Sequence, residues 1–241
     1  LREWFDLLPF ELTNAQKLAC EEISKDLERG FPMTRLLQGE VGSGKTVVAA
    51  TALYQTYVAG AQGAIMAPTE VLAMQHFLTF EKLFKNTEVT IGLVTRSSKL
   101  VVKSGHKAIS TKDAIKKGVR AGTIDIVIGT HTLIQKEMVF SKMGLAVIDE
   151  QQRFGVKQRI EILKKNKEGV VPHMLSLTAT PIPRTYTHYL YGALDVSLLE
   201  ELPKGRKKIE TKLVRRSNVA SVYKSIEEEI SIGRQIFVIC P

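Results

Sequence analysis

Cysteine is scarce in this sequence, and long apolar runs are missing from it. The two cysteines among 241 residues, Cys20 and Cys240, lie far apart without metal-ligand spacing. This argues against a disulfide framework and predicts reduced thiols in a cytosolic protein. No apolar run approaches the ~20 residues that cross a bilayer, and the opening "LREWFDLLPFEL" lacks the plan of a signal peptide. We therefore expect a cytoplasmic protein with no membrane partner. The five histidines form no recognisable metal-ligand pattern.

Acidic residues are outnumbered by basic ones. Asp and Glu total 25 against 34 Lys and Arg, which gives a net charge of +9 and a pI of about 9.5. A surplus of this size favours a polyanionic partner, with nucleic acid first and an anionic membrane surface second. The main basic run lacks interleaved aromatic residues, so a solvated surface is expected more than a DNA contact; it contains Lys99, Lys103, Lys107, Lys112, Lys116, Lys117 and Arg120.

Short apolar runs alternate with segments that have the period of helices. The strand-like runs cover residues 35–39, 63–68, 89–94, 125–130, 145–150 and 173–180. Short, fully apolar strands separated by helices predict an α/β fold with a mostly parallel sheet that helices cover on both faces. Ligands of such sheets bind beyond the carboxyl ends of the strands.

The amino-acid composition of the chain changes near residue 203. The stretch "LPKGRKKIE" combines proline, glycine and four basic residues, which is typical of a linker. We expect a first domain over residues 1–202, a linker over 203–208, and the truncated start of a second α/β domain over 209–241. That start is predicted to contain a strand in "IETKLV", a helix over 219–232 and a further strand in "QIFVIC".

A phosphate-binding loop is the strongest local signal. The stretch "GEVGSGKT" follows a predicted strand, opens a predicted helix and fits G-x-x-x-x-G-K-[ST]. Its glycines let backbone N–H groups point at phosphate oxygens, and the helix N-terminus adds partial positive charge. Lys45 can reach the β- and γ-phosphates, and the Thr46 hydroxyl can ligate Mg²⁺. The predicted nucleotide-binding residues of the loop are Gly39, Glu40, Val41, Gly42, Ser43, Gly44, Lys45 and Thr46.

A second acidic element follows in "LAVIDEQQ". Four apolar residues carry Asp149 and Glu150 to the end of a strand. Asp149 is predicted to hold Mg²⁺, and Glu150 to orient and deprotonate the attacking water. Adjacent carboxylates at a strand end are common, so this signal becomes strong only together with the phosphate loop.

The order of the motifs resembles a known family. "LTNAQ", "APTEVLAMQH", "DEQQRFGVKQR", "GTHTLI" and "TATPIPRT" are similar to the motifs of RecG-type ATP-dependent DNA helicases of superfamily 2. The resemblance covers residues 9–241 and implies a RecA-like first motor domain followed by the start of a second. It implies the cofactors ATP and Mg²⁺, duplex or branched DNA as partner, remodelling of forks and junctions in recombination and repair, and a monomer.

Individual roles are carried over through the resemblance. Gln16 would read the adenine edge, with Thr13 nearby and Phe10 stacking on the base, although a core aromatic is an equal alternative for Phe10. Lys45, Glu150 and Gln152 would be the catalytic residues. Contacts to DNA, or coupling of DNA to the nucleotide pocket, are implied for Pro68, Thr69, Thr130, His131, Thr178, Thr180 and Arg184. Arg96, which the family pattern does not supply, could take a DNA phosphate or could equally be a solvated surface arginine. Taken alone, His131 is better explained as a structural histidine.

The chain departs from the family pattern at two places. Gln152 stands where RecG relatives usually have histidine, which puts the coupling of hydrolysis to movement in doubt, since glutamine cannot carry a charge. The family tends to have "TGS" where this chain has "TRSS", and the stretch after it looks longer than usual.

Two other functions stay open: the translocase module of a transcription-repair coupling factor, and a non-catalytic nucleic-acid-binding module switched by nucleotide. Family arginines that complete the ATP site belong to the second domain. We therefore expect the isolated chain to bind ATP–Mg²⁺ weakly and to hydrolyse it very slowly.

Overall fold

The computed structural model describes residues 1–167, 169–180, 194–201, 211–215 and 218–239. Contacts divide the chain into two compact units, Leu1–Lys204 and Gly205–Pro241. The domain boundaries predicted from the sequence stay a prediction, because the predicted linker lies outside the described residues. No helix in the described ranges is both long and apolar enough to span a bilayer.

Among its described residues, the first unit has nine strands that form one sheet. In chain order they are β1 (Thr34–Gly39), β2 (Gln62–Met66), β3 (Thr90–Val94), β4 (Lys99–Lys103), β5 (His106–Ile109), β6 (Ile126–Gly129), β7 (Met143–Ile148), β8 (His173–Thr178) and β9 (Asp195–Leu199). Their order across the sheet is β5-β4-β3-β6-β2-β7-β8-β1-β9. All neighbouring pairs are parallel except β3–β4 and β4–β5. The predicted mostly parallel sheet is therefore confirmed.

Helices lie between the strands. Those of the first unit are α1 (Arg2–Leu7), α2 (Asn14–Leu27), α3 (Lys45–Val58), α4 (Glu70–Leu83), α5 (Lys112–Ala121) and α6 (Val156–Leu163), with 3₁₀ turns at His131–Ile134 and Gln151–Arg153. Threonine side chains cap three of them: Thr13, Thr69 and Thr111 each accept a hydrogen bond from a backbone N–H of the first turn. Such caps fix where a helix begins.

Alternating strand residues enter two different hydrophobic cores. Along β7, Leu145 and Val147 join the core that contains α1 to α4, whereas Ala146 and Ile148 join the core that contains α5 and α6. Successive side chains of a strand point to opposite faces of the sheet. The two cores therefore lie on opposite faces, and the predicted three-layer sandwich is confirmed.

Three strands were not predicted from the sequence. The basic stretch after residue 98 forms the β4–β5 hairpin and then α5, and β9 lies at the far edge of the sheet. Lysines begin and end β4, and every residue of β5 is exposed, so the apolar signal of the hairpin is weak. Val102 is the side chain of the hairpin that is buried in the core.

The second unit contains helix α7 (Val219–Ser231), close to the predicted span. The strands predicted in "IETKLV" and "QIFVIC" are wrong for their described parts, because residues 211–215 and 235–239 have no strand. A strand needs a neighbour that satisfies its backbone groups, so apolar β-branched residues alone do not produce one.

Candidate functional site

Three neighbouring strands bring the predicted nucleotide residues to one edge of the sheet. β7, β8 and β1 are adjacent and parallel. They end at Ile148, Thr178 and Gly39. The acidic motif, the threonine motif and the phosphate loop therefore start side by side, although more than a hundred residues separate the loop from the other two. This is the place where parallel α/β sheets bind ligands.

The phosphate loop turns sharply before α3. Gly42 and Gly44 have φ of 83° and 89°, in the left-handed region that glycine adopts without strain. Ser43 N–H donates to the carbonyl of Glu40 at 3.1 Å, which closes the turn. The first backbone N–H groups of α3 have no partner within the helix and mark an anion site together with its dipole. The loop therefore has the shape that a phosphate requires.

Lys45 lies folded over this loop. Its ammonium donates to the carbonyl oxygens of Gly39 at 2.6 Å and Glu40 at 3.0 Å. Burial lowers the pKa of Lys45, while the nearby carboxylates of Glu150 and Asp149 oppose that shift. Both carboxylates of the acidic motif therefore act electrostatically on the lysine. A phosphate bound here would meet the ammonium at the point where it now contacts the loop.

Gln16 connects the loop to the start of α2. Its side-chain oxygen accepts from the Thr13 backbone N–H at 2.9 Å, and its amide nitrogen donates to the Ser43 carbonyl at 2.8 Å. The side chain is 3% exposed. An amide has two donors and two acceptor positions, so one of each remains for the edge of a base.

A cleft of about 850 Å³ opens next to this amide. Phe10, Thr13, Gln16, Gly44 and Thr46 are among its lining residues. The Phe10 ring is 49% exposed, so the alternative of a core aromatic is wrong. Its position beside the loop suits a stacked base.

The acidic motif begins directly after β7. Asp149 is buried, and its Oδ1 accepts from the Glu150 backbone N–H at 3.0 Å. Glu150 itself has φ 48° and ψ 56°, a left-handed conformation that is uncommon for a residue with a side chain. Such a strained position is typical of functional sites.

Gln152 bridges the acidic motif and the threonine motif. Its amide nitrogen donates to Glu150 Oε2 at 2.6 Å, and its amide oxygen accepts from the Thr178 hydroxyl at 3.4 Å. Thr178 and Thr180 hydroxyls are 2.9 Å apart. Glutamine therefore makes a connection between the two motifs without a charge. Arg184 lies outside the described residues.

One buried polar contact of the acidic motif was not predicted from the sequence. His76 Nε2 lies 2.6 Å from Asp149 Oδ2, and both side chains are buried. The signal was available in the sequence, because His76 falls on the same helical face as Ala73, Phe77 and Phe80. A polar residue within such an apolar stripe needs a buried partner.

The other half of the sheet edge holds the predicted DNA-facing segments. β3, β6 and β2 are adjacent, and the segments with Arg96, Thr130 and Thr69 follow their ends. Thr69 caps α4 by accepting from Leu72 N–H at 3.2 Å. Pro68 precedes it and is half-buried. Thr130 is buried, whereas His131 is exposed. The choice between a structural and a DNA-contacting role for His131 therefore stays a prediction, although its exposure leaves the imidazole accessible to a ligand.

A basic cavity of about 380 Å³ lies in this half. It is lined by four basic side chains and three polar ones: Arg96, Lys99, Lys112, His131, Thr95, Thr132 and Gln135. Glu70, at the first turn of α4, accepts hydrogen bonds from the Ser97 backbone and from the hydroxyls of Thr95 and Ser97, and these bonds lower the pKa of Glu70. The Arg96 loop is thereby held against α4.

The rest of the basic run is divided between ion pairs and solvent. Lys103 pairs with Glu88 at 3.7 Å and Lys107 with Glu81 at 2.7 Å. Lys116 pairs with Asp113 at 3.3 Å and also with Glu137. These contacts compensate much of the charge. The end of the run near Arg96 combines several basic groups around one cavity.

We call the part of the sheet edge formed by the ends of β7, β8 and β1 the nucleotide half, and the part formed by the ends of β3, β6 and β2 the DNA half. The oxygen groups of the nucleotide half are of the kind that a magnesium nucleotide requires. Mg²⁺ prefers oxygen ligands, and the hydroxyl of Thr46 and the carboxylate of Asp149 are oxygen groups of the predicted kind. In the described part of the chain there is no cluster of three or more His, Cys, Asp or Glu side chains that could hold a metal alone.

Comparisons with known proteins agree with this geometry. The family model of the DEAD/DEAH box helicases matches residues 13–188. Proteins called ATP-dependent DNA helicase RecG from Aquifex aeolicus and Bacillus subtilis are 46% and 44% identical over 241 residues. Each match covers 100% of this chain, but 29% and 34% of the relative. The chain therefore spans about a third of the length of these curated relatives.

A solved structure shows the same likeness in three dimensions. The structure of RecG bound to a three-way DNA junction matches with a TM-score of 0.83 and 42% sequence identity. The match covers 100% of this chain and 31% of that one. The resemblance to RecG-type helicases stated from the sequence motifs is confirmed, and with it the RecA-like helicase fold.

Proposed function

Because the chain belongs to the DEAD/DEAH box helicase family, we propose that it is the ATP-binding motor domain of a RecG-type DNA helicase. In this proposal ATP hydrolysis drives remodelling of branched DNA, such as forks and junctions, in recombination and repair. The observation that carries it is the adjacency of β7, β8 and β1, which places phosphate loop, acidic motif and threonine motif at one edge. The likeness to proteins named RecG supports the choice within the family.

The nucleotide half would bind ATP between the loop and the cleft. Lys45 and the first N–H groups of α3 would hold the phosphates, and the remaining donor and acceptor of Gln16 suit the adenine edge. Phe10 and Thr13 would border the base. Thr46 and Asp149 would ligate Mg²⁺, which supplies charge neutralisation on the phosphates when bound. Glu150 would accept the proton of the attacking water.

The DNA half would bind the sugar-phosphate backbone. Thr69, Thr130 and the exposed His131 lie at neighbouring strand ends, and the basic cavity beside them includes Arg96. Contacts to phosphate fix position without reading sequence, which suits a motor that moves along DNA. Thr178 and Thr180, linked to Glu150 through Gln152, would couple the two halves.

Other properties of the proposal rest on the family and on composition. We propose that residues 1–202 are the first motor domain, that 203–208 link it to a second domain starting at 209, and that the protein acts as a cytoplasmic monomer. The translocase of a transcription-repair coupling factor remains the alternative within the same class. Its usual acidic motif has two further acidic residues, whereas this chain has Gln151 and Gln152.

Binding of a fluorescent ATP analogue tests the proposal. The protein at its natural length is compared with its Lys45→Ala variant, each with Mg²⁺ present. Binding by the first and a loss of at least tenfold by the second are expected. ATP turnover is then measured with a three-way junction, linear duplex or no DNA. Nucleotide binding without any DNA-stimulated turnover would support the non-catalytic module instead, and unaltered binding by the variant would contradict the nucleotide site.

A further inference from the structure

Helix α4 carries a histidine on the face that it packs against the sheet. His76 lies about two turns into the helix and is 9% exposed. Its neighbours on that face, Ala73, Phe77 and Phe80, are fully buried and apolar. An imidazole in such a setting requires a hydrogen-bond partner. That partner comes from another element of the fold.

The partner is the carboxylate of Asp149. His76 Nε2 and Asp149 Oδ2 are 2.6 Å apart, and Asp149 Oδ1 accepts from the Glu150 backbone N–H at 3.0 Å. Each carboxylate oxygen therefore has one donor from the protein. Two donors on opposite oxygens fix the plane of the carboxylate, yet leave lone pairs on both oxygens for a further ligand.

The contact joins the two halves of the sheet edge. α4 follows β2, which belongs to the DNA half, and Asp149 follows β7, which belongs to the nucleotide half. β2 and β7 are neighbours, and the Asp149 backbone N–H donates to the Met66 carbonyl at 2.9 Å. Asp149 is therefore held through its backbone by β2 and through its side chain by the helix that β2 leads into.

We infer that His76 is a positioning residue, which orients Asp149 as a ligand of the divalent cation that accompanies the nucleotide. The inference rests on the proposed function, since it concerns the same cation. Hydrogen-bond partners behind a metal ligand keep the ligand oriented, and their loss typically lowers metal affinity by about 10- to 100-fold. Packing alone does not explain the residue, because an apolar side chain would fill this face without a polar group to satisfy.

The test compares four substitutions in the protein at its natural length. His76→Leu removes the donor and keeps an apolar side chain, whereas His76→Gln keeps an amide N–H at about the reach of Nε2. Phe77→Leu loosens the same helix without touching Asp149. Asp149→Asn alters the proposed ligand itself. For each variant a fluorescent ATP analogue is titrated in EDTA and at increasing Mg²⁺, and folding is followed by thermal unfolding.

A positioning role predicts a change confined to the metal-dependent part of binding. His76→Leu should raise the Mg²⁺ concentration for half-maximal binding by about tenfold or more, with affinity in EDTA unchanged. His76→Gln should restore most of the wild-type value, and Phe77→Leu should leave it unaltered. If His76→Leu fails to fold, His76→Asn takes its place, since its amide stops one methylene short of Asp149.

Two results would overturn the inference. One is a His76→Leu variant with the Mg²⁺ dependence of wild type; the other is an equal loss of affinity with and without Mg²⁺, which indicates a structural role. A failure of the proposed function looks different. In that case wild type does not bind the analogue, or Asp149→Asn leaves the Mg²⁺ dependence unchanged.

Discussion

The side-chain amide of Gln16 donates to the carbonyl oxygen of Ser43 at 2.8 Å, so that the start of α2 supports the phosphate loop from behind. The same side chain closes the capping box with Thr13 at the N-terminus of α2. One buried glutamine therefore fixes a helix start, a loop and one wall of the cleft. Any group that intrudes between Gln16 and the loop should disturb all three.

Gly44→Ala places such a group there. The added Cβ would lie 2.2 Å from Gln16 Nε2, at a residue whose φ is +89°. We expect nucleotide affinity to fall at least tenfold, and the free energy of unfolding to fall by about 1–2 kcal/mol, the cost of a left-handed conformation for a residue with a Cβ. Analogue binding and urea unfolding measure the two effects.

Gly30→Ala is the matched control for that substitution. Nothing lies within 4 Å of its added Cβ, so both quantities should stay near wild type. Equal losses in the two variants would mean that glycine loss in general causes the effect, and neither the left-handed φ of residue 44 nor the contact with Gln16.

Gln152→Ala should impair the coupling of ATP hydrolysis to DNA while leaving nucleotide binding intact. The change removes the hydrogen bonds of Gln152 to Glu150 and Thr178 but no group of the loop. We expect nucleotide affinity within about twofold of wild type and a fall of about tenfold in DNA-stimulated ATP turnover, near the value of one hydrogen bond to a charged group. Steady-state hydrolysis with and without a DNA junction measures this.

Gln152→His restores the residue that RecG relatives usually have, and should keep stimulation close to wild type. A Gln152→Ala protein that retains full stimulation would show that the bridge between the two motifs does not couple hydrolysis to DNA.

Protonation of His173 should lower the free energy of unfolding at acid pH. Its Nδ1 accepts from the Met33 backbone N–H at 2.9 Å, and burial lowers the pKa of His173 below 6.5. The unfolded chain therefore takes up a proton first as the pH falls. The contribution of the neutral imidazole is fully present above about pH 6.5 and is lost as the pH drops through the lowered folded pKa.

His173→Asn tests this, because its amide oxygen can accept from Met33 and does not titrate. The free energy of unfolding should fall more steeply in wild type than in the variant between about pH 7.5 and 5. Urea titrations at both pH values give the comparison. Parallel pH profiles for the two proteins would contradict the assignment to His173.

Arg96→Ala and Lys112→Ala should each weaken DNA binding in a salt-dependent way. Both side chains line the basic cavity at the DNA half of the sheet edge. Loss of one phosphate contact should reduce the slope of log Kd against log salt by about 0.9. Fluorescence anisotropy of a labelled junction at several salt concentrations measures the slope.

Lys117→Ala serves as the control, since Lys117 is an exposed lysine of α5 that does not line the cavity. It should change neither the affinity nor the slope beyond error. A slope that responds equally to all three substitutions would reflect net charge alone.

Features that depend on a few neighbouring residues could be predicted from the sequence. The phosphate loop needs left-handed glycines before a helix, and the acidic pair needs a buried strand before it, so both are confined to a few contiguous residues. The apolar strands β1, β2, β3, β6 and β7 were predicted for the same reason. Buried parallel strands consist almost wholly of apolar residues.

The tertiary structure decided which of these segments meet. Strand order places Thr178 between Ile148 and Gly39, and it lets His76 reach Asp149, 73 residues away along the chain. No local period encodes such neighbours, because they depend on how the sheet is assembled. The β4–β5 hairpin also escaped prediction, since its strands depend on pairing with β3 more than on their own composition. The sequence by itself determined which chemical groups this site contains, and the packing of the sheet determined which of those groups lie next to one another.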